Sequence, residues 1–340
     1  MQAILAVTVP FFALVLLGWL AARSGPLPET AIPGLNAYVL FFALPCMLFR
    51  FGASLPIGRL ADPALLGIYL ASGVAMVALV VALTLRTRRR PGGVGLRDAA
   101  FGALVGAFPN AGFMGVPLLT ALYGDAAAGP VIGAIVIDLV VTSTLCLALA
   151  QAEEARSAGD AERQALHAGL IALRGALSNP LPWAIVLGAL SSTLGLEPLA
   201  PVAQIVKMLG DSATPVALFT IGAVLFRAGR HAHARTPVGR FLPVTLLKLF
   251  LHPALVLGLG LGLGALGVAV PPFGLMILVL TAALPSASNV SILAERYGAD
   301  NGRVTRIILA STVLAFASFS TIAWLFDRGK PGEAVSVPGR

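Results

Sequence analysis

The 340-residue chain is 58% hydrophobic and only 11% charged, with a mean hydropathy of +0.92, a balance that excludes a water-soluble globular domain. A net charge of +8 could suit nucleic acid, but the arginines cluster in short segments between apolar runs, so orientation in a lipid bilayer explains them and no nucleic-acid partner is expected. The two cysteines, Cys46 and Cys146, fall inside apolar runs and offer neither a disulfide framework nor paired metal-ligand spacing, so no metal or cofactor is expected.

The first apolar run, about Ala3 to Ala22, is too long for a signal-peptide core and lacks a basic leader, so it reads as a retained first span. Span 2 covers about Ile32 to Gly52 with Leu44-Pro45 near its middle, and span 3 about Pro63 to Leu85, followed by the basic cluster Arg86 to Arg90. Span 4, about Ala99 to Tyr123, is interrupted by Phe108-Pro109-Asn110-Ala111-Gly112-Phe113-Met114-Gly115-Val116-Pro117. Two prolines remove helix donors and two glycines loosen the backbone between them. Such a break survives at membrane depth only where protein or a water-filled cavity surrounds it. Span 5 runs about Gly129 to Ala150.

A polar segment, Gln151 to Gln164, and an amphipathic piece, Ala165 to Leu177, with His167 and Arg174 on its polar side, then divide the chain. Spans 6 (Leu181 to Leu194), 7 (ending near Phe226, with Thr214-Pro215), 8 (Phe241 to Leu266, ending in a glycine-rich run) and 10 (Val304 to Phe326) make up most of the second half. Span 9, from Phe273 to Tyr297, breaks at Leu284-Pro285-Ser286-Ala287-Ser288-Asn289. The expected domains are therefore 1–150, a cytoplasmic loop at 151–178, 179–326, and a disordered tail at 327–340. Arginines fall almost entirely in alternate loops, including Arg303 and Arg306 beyond span 9; Arg50 and Arg59 are the exceptions outside the tail. That asymmetry predicts both termini outside the cytoplasm.

The two halves repeat each other. Ala43-Leu-Pro45-Cys-Met-Leu48-Phe49-Arg-Phe-Gly52-Ala53 matches Ala213-Thr-Pro215-Val-Ala-Leu218-Phe219-Thr-Ile-Gly222-Ala223 without a gap, and Pro109 to Asp125 matches Pro285 to Asp300 more loosely. Five spans per half, an odd number, forces the second half to insert upside down: an all-α membrane protein of about ten helices in two inverted five-helix repeats.

These motifs, Asn110 to Pro117 and Leu284 to Asn289 with Leu293-Ala294 and Tyr297-Gly298, resemble the auxin efflux carrier family, whose bacterial members are described as permeases for malonate and other organic acids. The resemblance covers nearly the whole chain. It implies a fold similar to bile-acid symporters: a scaffold of helices 1, 2, 6 and 7, a transport part of helices 3–5 and 8–10, crossing helices 4 and 9, an elevator-like movement and a homodimer.

The expected function is secondary transport of a small organic anion, not enzymatic, with a sodium-coupled symporter of the bile-acid type or a non-transporting sensor as alternatives. Asn110 and Asn289 each offer an acceptor and two donors for a carboxylate, beside backbone freed around Pro109, Gly112 and Pro285. Helix N-terminal ends at the crossing favour an anion. Ser286, Ser288 and Ser291 are weaker candidates, since membrane serines often bond their own helix. Asp138, about 13 Å into span 5, is a functional candidate by default and a candidate proton carrier. Lys248, about 10 Å into span 8, could snorkel, pair with Asp138 or attract substrate, and His252 lies one turn deeper. Lys207 and Asp211 are expected to form a surface pair.

Overall fold

A computed structural model of the chain describes residues 1–54, 62–86, 94–158, 180–196, 198–231 and 236–328. The amphipathic piece expected at Ala165 to Leu177, with His167 and Arg174, lies outside the described residues, as do Arg59, Arg88 to Arg90 and residues 329–340. Apart from one two-residue bridge, all regular structure among the described residues is helical.

In chain order the helices are α1 (Gln2–Ser24), α2 (Glu29–Ser54), α3 (Pro63–Leu85), α4 (Leu96–Ala107), α5 (Ala111–Tyr123), α6 (Asp125–Ala152), α7 (Pro180–Thr193), α8 (Ala200–His231), α9 (Val238–Ala265), α10 (Pro272–Ala282), α11 (Val290–Arg296) and α12 (Asn301–Arg328). Seven of them, α1, α2, α3, α6, α8, α9 and α12, are long and apolar enough to cross a membrane; α5, α7 and α10 are apolar but shorter. Local chemistry sets their ends. Gly25, at φ 97°, closes α1 in the left-handed conformation, which costs a residue without a Cβ nothing. Asp62 caps α3 by accepting the Ala64 and Leu65 amides, both at 3.0 Å, ahead of Pro63 in the first turn.

Four helices widen into a single π turn: Val39–Ala43 in α2, Ala111–Gly115 at the start of α5, Asp138–Thr142 in α6 and Leu247–Leu251 in α9. Three have one cause. Pro45, Pro117 and Pro253 each stand two residues beyond the π turn, where a proline lacks the amide and its ring crowds the carbonyl four residues back. The wider turn relieves that crowding. The fourth turn, at Asp138, has no such proline; there Ser143 Oγ donates to the Asp138 carbonyl at 2.8 Å.

The helices associate mainly in two groups, α1 with α8 and α2 with α7 and α8, and α3, α4, α6, α9, α10 and α12 with one another, while α5 and α12 also pack against α1 and α8. Bare glycine backbone allows the first group to close. A Cβ on Gly18 would overlap the Phe219 carbonyl, and one on Gly222 the Val15 carbonyl, so α1 and α8 touch backbone to backbone. Gly52 and Gly188 hold α2 and α7 together in the same way. In the second group, α4 from Ala99 and α10 from Gly274 are buried all round, while Leu17, Phe41, Phe42, Trp183, Leu187 and Met208 lie exposed on other helices, as lipid-facing residues do.

One expectation about charge is corrected. Arg303 is not a loop residue: α12 starts early enough to carry it inside, 3% exposed. Its guanidinium donates to the Arg240 carbonyl (2.9 Å), the Asp98 carbonyl (3.1 Å) and Thr84 Oγ1 (3.2 Å), satisfying groups at the ends of α3, α4 and α9. The expected tail also begins later, since α12 holds Asp327 and Arg328.

Candidate functional site

The two breaks meet and satisfy each other. Pro109 and Ser286 form an antiparallel bridge in which the Asn110 amide donates to the Pro285 carbonyl (2.8 Å) and the Ala287 amide to the Phe108 carbonyl (3.0 Å). Each break thus gives the other one backbone donor and one backbone acceptor. The Asn110 carbonyl then accepts from Met114 (3.1 Å) and Gly115 (3.0 Å), starting α5.

The two asparagines are not equivalent. Asn110 is 4% exposed, whereas Asn289 is exposed; both line one cavity of about 40 Å³ with Pro109, Gly112 and Asp138. The opposite wall comes from Leu40 of α2 and Leu181 of α7, and a Cβ on Gly112 would lie 3.9 Å from Leu181 Cδ1. Ser286 is buried, and its hydroxyl has no partner among the described residues. Ser291 donates to the Ser288 carbonyl at 2.9 Å, the local bond expected of a membrane serine, and Ser288 is itself buried.

Behind the crossing lies a buried polar cluster drawn from three helices. Asp138 is 1% exposed and accepts from Tyr69 Oη of α3 at 2.9 Å and from Thr142 Oγ1 at 3.1 Å. Lys248 is fully buried, which rules out snorkelling. Its Nζ donates to the Ala282 carbonyl at 2.6 Å and lies 3.3 Å from His252 Nδ1. Lys248 thus caps the carbonyl end of α10, where the helix dipole is negative. His252 stacks obliquely 6.0 Å from the Tyr69 ring, and its Nε2 is buried without a partner among the described residues.

Tyr69 and Thr142 escape a reading of the sequence. Tyr69 carries a faint signal, a phenol inside an otherwise apolar span, since a buried tyrosine hydroxyl usually finds a partner. The π turns give a second signal. Asn110 opens one, Asp138 begins another, Lys248 sits in a third and Leu40 in the fourth, consistent with the frequency of such turns at functional sites.

A family model described as membrane transport protein matches residues 3–325. A Rhizobium meliloti (strain 1021) protein named as a candidate malonate transporter is 30% identical over 331 residues, covering 97% of this chain and 98% of its own length. Auxin efflux carrier component 8 of Arabidopsis thaliana is 23% identical over 366 residues, covering 95% and 96%. An uncharacterised transporter of Methanothermobacter thermautotrophicus is 27% identical over 311 residues, covering 90% and 92%.

Proposed function

Because this chain belongs to the membrane transport protein family, that of the auxin efflux carriers, we propose that it is a secondary carrier moving a small organic anion by an elevator-like, proton-coupled cycle. The observation that carries the proposal is that Asn110 and Asp138, from different helices, line one small cavity at the crossing of two broken helices. Asn110 supplies donors for a carboxylate and the first turn of α5 adds a positive dipole end; the Ser286 hydroxyl, buried at the bridge beside them, has no partner among the described residues. The name borne by the Rhizobium relative makes malonate the first substrate to try.

A cavity of about 40 Å³ holds water but no substrate, since ligand pockets start near roughly 300 Å³. The site must open for loading. Its walls favour one way: the crossing belongs to the α3–α6 and α9–α12 group, whereas Leu40 and Leu181 belong to the α1, α2, α7 and α8 group. Sliding of one group against the other would expose it. Proton coupling through Asp138 follows from its place, with one carboxylate facing both the cavity and the Tyr69, Lys248 and His252 cluster.

Ten membrane helices, with α4–α5 and α10–α11 each counted as one broken span, and inverted repeats complete the proposal. The glycine contacts support the repeat: Gly18 and Gly188, and Gly52 and Gly222, are each 170 positions apart, as are Pro45 and Pro215. One contact is therefore the counterpart of the other. The arginine pattern, less Arg303, still favours termini outside the cytoplasm.

Purified protein in liposomes, offered labelled malonate and other small carboxylates with a proton gradient, a sodium gradient or none, tests the function. Uptake driven by protons is expected. Uptake driven by sodium alone would replace the coupling, and no uptake of any acid would overturn the carrier.

A further inference from the structure

A second and much larger cavity, about 400 Å³, opens between the two helix groups. Arg50 and Phe51 of α2 and Gly210 and Asp211 of α8 wall it on one side, Thr120 of α5 and Asp125 on the other. Its size lies in the range of small-ligand sites. Arg50 Nη1 bonds Asp211 Oδ1 at 2.6 Å and Lys207 Nζ bonds Asp211 Oδ2 at 2.7 Å, so one carboxylate holds two cations and the trio keeps one net positive charge. Gly210 lets α8 lie close against α2 beside Arg50: a Cβ there would stand 3.2 Å from the Met47 amide nitrogen. The remaining Arg50 donors have no protein partner among the described residues, and its side chain is 43% exposed. Under the proposed topology Arg50 is also one of the two non-tail arginines that the charge rule leaves on the outer side, so orientation does not account for it.

We propose that this cleft is an outer holding site for the carrier's substrate, in which a small carboxylate docks on the free donors of Arg50 before passing along α5 to the crossing. The inference rests on the carrier reading above. A guanidinium fork with donors to spare suits a carboxylate, and Arg50 belongs to the helix group that does not carry the crossing. The route is short: α5 runs from the crossing at Ala111 to the cleft wall at Pro117 and Thr120, about 9–14 Å at 1.5 Å per residue. Asp211 competes with the substrate for the guanidinium, and Asp125 repels it from the facing wall. The site therefore holds its ligand weakly, as a place on the way should.

Competition gives variants with opposite signs. Arg50→Gln is expected to raise KM for outside malonate about tenfold, the loss of one charge-assisted contact, with KM from the inner face unchanged. Asp211→Asn is expected to lower the outside KM, because it frees Arg50. If the pair serves only to pin α2 to α8, both variants instead lower thermal stability alike and leave KM unmoved, and the proposal falls. In a Cys46→Ser background, Arg50→Cys is then treated from outside with an impermeant cationic or anionic thiol reagent. Only the cationic adduct should restore the low KM, and equal effects of the two reagents overturn the site. In the same Cys46→Ser background with Arg50 retained, malonate should slow the labelling of Ser54→Cys in the cleft wall, and no slowing likewise overturns the site. Slowed labelling is read without transport, so a protein that moves no acid refutes the carrier while the cleft is still judged.

Discussion

Asp138 and Asn110 face the same cavity, yet their neighbours assign them different work. Asp138 is held by Tyr69 and Thr142, fixing both carboxylate oxygens. Asp138→Asn should abolish the pH dependence of transport, measured as uptake rate against pH on both faces, whereas Tyr69→Phe, which removes one donor and keeps the ring, should leave transport running with a displaced profile. Unchanged pH dependence in Asp138→Asn would remove it as the proton carrier. At the substrate end, Asn110→Ala should weaken malonate binding roughly ten- to hundredfold, the cost of a buried hydrogen-bonding group lost to a charged ligand. Asn289→Ala should cost only a few-fold, because that side chain is exposed in this state. Sequence pattern made the two asparagines look alike; burial separates them.

At the scale of the helix, local sequence explains most of what is seen. The breaks and three of the four π turns follow from prolines and glycines, and the ends of α1 and α3 from Gly25 and Asp62, all of which any reader of the chain can locate. Close approach between helices is different, because a glycine in a span does not reveal what it touches. Gly222→Leu should drive a side chain into the Val15 carbonyl and cost about 1–3 kcal/mol or prevent folding, and Gly52→Leu should do the same against Ile185. Gly258→Ala, where an added Cβ meets nothing, is the control and should be neutral in thermal unfolding of the purified protein. Equal tolerance at all three positions would refute the backbone contact.

For the whole molecule, a crossing cavity too small for a substrate beside a far larger outer cleft suggests one position of a two-state cycle. Gly112 of α5 and Leu181 of α7 lie on opposite walls of the small crossing cavity. Cysteines at both positions, joined by a short bifunctional reagent, should stop uptake, and cleaving the linker should restore it. Transport that continues with the linker in place would exclude relative sliding of the two groups.

Composition alone determined that this chain lives in a bilayer, since 58% hydrophobic residues leave too little polar surface for water. Proline and glycine placement determined where its helices break, because backbone donors are lost locally. Only tertiary structure decided that the breaks pair with each other, that Lys248 caps the end of α10, and that Tyr69 reaches Asp138. Each of those partners lies far away in sequence, and in the bilayer every polar group must find a mate inside the protein. Which mate it finds depends on how the helices stack, a property of their packed surfaces and not of any one segment.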